Sequence, residues 1–371
     1  MCLKTRVKKG ILMNRNITLS KIIMILIFLC GFYNTVIAEI YTPEKIIKDK
    51  DTGYELRLTS MLKATDNSQL LLGATQNDFT NSFFSRGKTP LHSLLIKLNS
   101  ENQVDFAIEF DKYLFSDMIQ GENGTIALVG ISAKEPLNQL LIVKLQPDGN
   151  VVSSTLYSPK DSQKISPGKL MRVSSKGVGA LVQVSTDSSG TQYGFGALKI
   201  DNSGKIDGKK FFLAKEYKKL VIKNFLQTKD KSSIVFGDIY DFNKKNSDIC
   251  LIKVKEGQLL WAKVIHGTED ETILSLKEIG DQVLVAVSST APEQEQPTPV
   301  YFSINKDGNI DQITSNQKSP LDFPEEILKK DISPFLVKDV TIASFNVELS
   351  SKAISYQPQK VKKITPQIVN P

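Results

Sequence analysis

The sequence predicts an all-β fold, a β-propeller of four-stranded antiparallel blades. Three observations carry that expectation. A short phrase, an apolar run around a lysine, recurs five times: Leu95-Ile96-Lys97-Leu98-Asn99, Ile142-Val143-Lys144-Leu145-Gln146, Ala197-Leu198-Lys199-Ile200-Asp201, Leu251-Ile252-Lys253-Val254-Lys255 and Tyr301-Phe302-Ser303-Ile304-Asn305. Its central positions lie 47, 55, 54 and 50 residues apart. Between the copies stand only short extended runs and turn-forming clusters, and a period of roughly 40–55 residues made of strands is that of a blade.

The elements follow in chain order. The first strand of each unit is weakly alternating, at 58–64, 115–120, 169–174, 220–227 and 272–279. Turn residues such as Thr65-Asp66-Asn67 and Glu122-Asn123-Gly124 follow it. The second strand is near-continuously apolar: Leu70-Leu71-Leu72-Gly73, Ala127-Leu128-Val129-Gly130, Ala180-Leu181-Val182-Gln183, Ile234-Val235-Phe236-Gly237 and Leu284-Val285-Ala286. Such runs suit strands covered on both faces, and the glycines suggest a close approach to the adjacent sheet. The lysine phrase is the third strand. A turn then reads Pro147-Asp148-Gly149, Asn202-Ser203-Gly204, Glu256-Gly257 or Lys306-Asp307-Gly308, with Asn102 in the glycine place of the first copy. Glycine supplies the positive φ of a tight hairpin, and asparagine tolerates it best among the rest. Outer strands complete each unit at 104–110, 151–157, 206–213, 259–265 and 310–315. The leftovers at 41–55 and 320–350 are expected to form a composite sixth blade, although five or seven blades satisfy the same pattern. Residues 351–371, rich in proline from Gln357 onward, are expected to be a flexible tail.

The pattern of an apolar-flanked lysine, a glycine turn and an outer strand resembles the bacterial exported β-propeller repeats with the consensus LVKLDxxGNhxWxKxhGG. The fourth copy matches best, with Lys253, Gly257, Trp261, Lys263 and His266-Gly267. The resemblance spans 55–315 and implies the propeller fold without implying an activity.

Export is expected as well. Lys4, Arg6, Lys8, Lys9, Arg15 and Lys21 precede an apolar run from 22 to 32, and Val36-Ile37-Ala38 offers a cleavage point before Glu39. These are the parts of a signal peptide at 1–38, with Met13 an alternative start, and the run is too short to span a bilayer. The propeller domain then occupies 39–350, in the periplasm or outside the cell. The chain carries 47 basic and 40 acidic residues; six of the basic ones precede Glu39, leaving 41 against 40. That balance gives no footprint for nucleic acid. Of three cysteines only Cys250 follows Glu39, so no internal disulfide forms and Cys250 reads as a small buried hydrophobe.

No catalytic set emerges. His92 and His266 fall at unrelated repeat positions, and His266 reads as a surface turn residue. The chain holds no zinc motif, phosphate loop or nucleophile elbow. Residues 305–311 imitate a calcium loop, but position 316, where the closing glutamate belongs, is asparagine. A single tryptophan argues against a quinone site, so no cofactor and no metal are expected. The remaining candidate is a surface. The connection from 76 to 92 is long and contains Phe79, Phe83, Phe84 and Arg86, and the corresponding loop of the fourth unit contains Tyr240 and Phe242. Aromatics with arginine are common anchors of protein interfaces. The leading expectation is therefore a non-enzymatic exported scaffold that binds another envelope or extracellular protein. The alternative is a propeller-type glycan hydrolase or lyase with carboxylates at the central channel.

Overall fold

A computed structural model describes residues 46–49, 55–64, 66–74, 92–121, 123–132, 139–160, 163–174, 177–187, 192–242, 246–255, 258–267, 270–290, 298–311, 336–361 and 366–369. The described residues are all-β, as the sequence predicts, and form four hydrogen-bonded sheets. Five four-stranded antiparallel groups follow one another along the chain. The first comprises β2 (Glu55–Lys63), β3 (Gln69–Ala74), β4 (His92–Leu98) and β5 (Val104–Asp111), preceded by β1 (Ile46–Asp49). The second comprises β6 (Tyr113–Gln120), β7 (Ile126–Ser132), β8 (Leu140–Leu145) and β9 (Val151–Pro159). The third comprises β10 (Ile165–Ser174), β11 (Gly177–Ser185), β12 (Tyr193–Ile200) and β13 (Ile206–Ala214). The fourth comprises β14 (Tyr217–Gln227), β15 (Ser233–Asp241), β16 (Ser247–Lys255) and β17 (Gln258–His266). One parallel bridge, Tyr193 to Lys219, joins these last two groups into a single sheet. The fifth comprises β18 (Asp270–Ile279), β19 (Gln282–Thr290), β20 (Thr298–Ile304) and β21 (Ile310–Asp311).

Two irregularities recur. Every first strand slips register against the second, at 58/60, 115/117, 167/170, 222/224 and 273/275. The second-strand glycines answer this slip. A Cβ on Gly130 would stand 2.1 Å from the Leu114 carbonyl oxygen, and one on Gly237 1.9 Å from that of Val221. Their neighbour is thus the bulged strand of the same sheet, not the adjacent sheet that the sequence suggested. The other slip follows the recurring lysine, at 97/98, 144/145, 199/200 and 253/254. There the predicted hairpin turns form, with φ of 62° at Asn102, 84° at Gly149, 86° at Gly204 and 82° at Gly308. Each of these glycines also packs on the outer strand of the preceding group: Gly149 on Ile108, Gly204 on Thr155, Gly308 on Lys263 and Trp261.

The core is a series of apolar layers between successive groups. One layer holds Phe110, Phe115, Leu128 and Leu141, the next Tyr157, Val182 and Leu198, then Phe195, Ile239 and Cys250, and last Phe236, Ile265 and Phe302. First strands neighbour one another in order, β2 with β6, β6 with β10, β10 with β14 and β14 with β18.

The C-terminal stretch departs from expectation. It is neither a separate unit nor a tail among the described residues. It runs backward along the edge, adding one short strand to the fourth, third, second and first groups in turn. These are β22 (Leu336–Asp339) on β17, β23 (Ile342–Phe345) on β13, β24 (Leu349–Ala353) on β9 and β25 (Gln359–Lys360) on β5. Last, β26 (Pro366–Val369) pairs with β1, so the terminal pieces do meet, but as an extension of the first sheet. An outer strand with unpaired N–H and C=O groups invites aggregation, and this strap covers four of them.

Candidate interaction surface

Of the residues expected to anchor a partner, Phe79, Phe83, Phe84 and Arg86 lie outside the described residues. Tyr240 and Phe242 are described, at the end of β15 where the chain enters the second-to-third connection. The structure brings Tyr240 together with Lys219, its cross-strand neighbour in β14, whose ammonium stands 5.7 Å from the ring centroid. Burial of the phenol pushes the Tyr240 hydroxyl up to about 12. Phe242 is 52% exposed, far more than the core phenylalanines. An exposed apolar ring two residues along the chain from a cation over an aromatic face gives this strand end both apolar and cationic character.

The two histidines are not at unrelated places. His92 on β4 pairs in register with Asp111 on β5, while Asp248 and His266 occupy matching positions of β16 and β17 with the residue types exchanged. His266 lies on a strand and is mostly buried, which corrects the surface-turn reading. Its Nδ1 is 2.8 Å from the Asp248 carboxylate, and its Nε2 is buried without a hydrogen-bond partner. A general base must reach a substrate proton, and this nitrogen faces packed protein. The bonds around it are connective. The Ser247 N–H donates to Asp270 at 2.8 Å and its hydroxyl to the Glu271 carbonyl at 3.0 Å, joining the third strand of one group to the first strand of the next. Burial holds His92 below the ordinary histidine range, against the pull of Glu109 and Asp111.

The carboxylates near the first strands are likewise committed. Asp117 accepts from the Leu170 N–H at 2.9 Å and lies 3.4 Å from both the Lys169 ammonium and the Ser60 hydroxyl, spanning three groups. Asp238 accepts from the Thr272 hydroxyl at 2.7 Å and pairs with Lys223 at 3.0 Å. Buried carboxylates demand such partners.

The recurring lysines have the same logic. Lys97 is buried and pairs at 2.7 Å with Asp66 in the turn between the first two strands of its own group; Lys253 does so with Asp230 at 3.6 Å. Lys144 instead reaches the next group, donating to the Asp201 carbonyl at 3.2 Å and to Asn202 at 3.1 Å. The hydrogen bond from Lys97, then that from Ser68, lowers the Asp66 carboxyl to about 2. Cys250 is fully buried and burial alone raises its thiol to about 12, so the small-hydrophobe reading holds.

The rim is the surface that sequence reasoning missed. Two clefts of about 330 and 490 Å³ open where the strap crosses between groups. The first is lined by Lys209, Lys210, Leu259 and Phe345, the second by Val151, Val152, Ile354 and Tyr356. The signal that could have revealed the strap is a seven-residue spacing of β-branched aliphatics: Val340, Val347, Ile354, Val361, Ile368. Each of the first four plugs a different apolar layer at the rim. The Val340, Ile354 and Val361 N–H groups donate to the carbonyls of Ala262, Ser154 and Ala107, equivalent positions of three outer strands. At the fourth position Lys209 donates to the Val347 carbonyl at 2.7 Å.

Among the described residues no group of three or more His, Cys, Asp or Glu side chains is placed to hold a metal ion, and no helix is long and apolar enough to cross a membrane. No protein-family model matches the chain, and no curated protein matches it.

Proposed function

We propose that the chain is an exported β-propeller that serves as a protein-interaction scaffold, docking an envelope or extracellular protein on its loop-bearing face. The propeller reading is supported by the five successive four-stranded groups, the serial contact of their first strands and the apolar layer between each pair. Stacked sheets that bury both faces in this way are stable when they wrap around an axis, which leaves only short, protected edges. The strap replaces the composite sixth blade in this reading. Export is supported by the basic start, the apolar run and the small residues before Glu39.

The observation that carries the interaction reading is the exposed Phe242, two residues beyond Tyr240 of the Lys219–Tyr240 pair. A half-exposed phenylalanine gains binding energy on docking without repacking the core, and the stacked lysine fixes the neighbouring ring in advance. The glycan-hydrolase alternative needs a carboxylate pair flanking a substrate; Asp117 is instead bonded to the Leu170 N–H and Lys169 of the next group, and Asp238 to the Thr272 hydroxyl of the next group and to Lys223 of its own.

A photo-crosslinking amino acid at position 242, in protein expressed in cells with its own leader, tests the proposal. Discrete adducts from position 242, weak or absent from position 260 on the rim, support it. Equal labelling from both positions, or none from 242, rejects it. Mass spectrometry of the exported protein checks the leader separately, with a mature start at Glu39 expected.

A further inference from the structure

We propose that the strap, residues 336–361, is an exchangeable strand donor, and that the acceptor in trans is the rim of a second copy of this chain. Four observations point there. The strap is held through edge hydrogen bonds, one aliphatic plug in seven residues and side contacts such as Tyr356 on Phe110 and Tyr113 and Phe345 on Phe211, while most of its other described residues are exposed. Its docking sites repeat around the molecule, with Ala107, Ser154 and Ala262 accepting at matching places, so every contact it makes is independent of which chain supplies it. Ion pairs between Lys263 and Asp339 at 2.8 Å and between Lys160 and Glu348 at 2.7 Å fix its register on the host. Finally, 24 residues separate Asp311 from Leu336. That length reaches about 80 Å when extended, so covalent connection does not confine the strap to its own copy.

Departure of the strap leaves β5, β9, β13 and β17 with open edges beside exposed Val152, Leu259 and Leu260. Open edges pair with the best available strand. The strand whose aliphatics match the rim layer by layer is the strap of another copy, and exchange of an identical element is a low-cost route to a dimer because it remakes the same contacts. This surface is separate from the Phe242 face, so neither proposal depends on the other.

Equal amounts of unlabelled and isotopically heavy full-length protein are incubated together at high concentration, then treated with a zero-length carbodiimide cross-linker. The linker converts the Lys160–Glu348 and Lys263–Asp339 ion pairs into amides that mass spectrometry reads. Exchange predicts mixed light–heavy cross-links that grow toward half of the total, in a species of twice the monomer mass. Full-length Val347→Ala, with a loosened strap, is expected to reach that point sooner. The proposal is overturned if the wild-type cross-links stay within one isotope after the Ile354 and Val361 amides have exchanged hydrogen, a control showing that the strap has opened. The wild-type arm decides alone if Val347→Ala fails to fold.

Discussion

Replacing Val347 by alanine removes two methyl groups from the rim of the layer between the second and third groups. The side chain is 1% exposed and packs in the cluster that holds Tyr157, Leu198 and Phe211. At about 0.8 kcal/mol for each buried carbon, the transfer term is roughly 1.6 kcal/mol. A residual void left among these packed side chains adds up to about 1 kcal/mol, giving about 2–3 kcal/mol in all. Asn346→Ala, one residue earlier and facing solvent, changes stability by less than about 0.5 kcal/mol. Urea unfolding followed by far-ultraviolet circular dichroism and by the emission of Trp261 measures both variants. With a slope of about 3 kcal/mol per molar, the Val347→Ala midpoint falls by about 0.7–1 M. Equal midpoints for the two variants would refute the idea that the seven-residue spacing marks anchors, and the strap would then be only an edge cover.

Other consequences are as specific. Gly237→Ala places a Cβ 1.9 Å from the Val221 carbonyl and is expected to lose about 2–4 kcal/mol in the same assay, whereas Gly208→Ala meets only the Lys199 Cβ at 3.7 Å and should be within about 1 kcal/mol of the parent. Cys250→Ser puts a hydroxyl into an apolar layer and should destabilise by about 1–3 kcal/mol, and the native thiol should react with a disulfide reagent only after unfolding. The Asp66 carboxyl is held at about 2, below its unfolded value of 3.8, so its pairing with Lys97 stabilises fully above the unfolded value and is lost as pH falls through the folded one. Midpoints measured down to acid pH should therefore drop less steeply across that window in Asp66→Asn than in the parent.

Much of the strand plan was legible from the chain because hairpins and buried strands have local causes. The glycines at 149, 204 and 308 and Asn102 marked turns by backbone sterics alone, and the structure gives all four positive φ. The apolar runs marked the second and third strands because side chains enclosed on both faces must be apolar. The chemistry of the lysines was not legible: the partners of Lys97 and Lys144 lie 31 and 57 residues away, in turns whose polar residues look generic. Nor was the pairing of His92 with Asp111 and of His266 with Asp248, because the two types trade places between copies and cancel any repeat signal. Of the six interface candidates, Tyr240 lies on strand β15 and not in the expected loop, Phe242 follows that strand, and Phe79, Phe83, Phe84 and Arg86 lie outside the described residues.

By itself the sequence determined where strands begin and turn, since those choices rest on φ, on alternation and on runs of Val, Leu and Ile within a few residues of each other. Tertiary structure alone decided what the described residues 336–361 do. Their prolines, exposed polar side chains and one aliphatic in seven bury too little to fold locally. They become strands only because four outer edges, distant along the chain but neighbours in space, present unpaired backbone at matching heights.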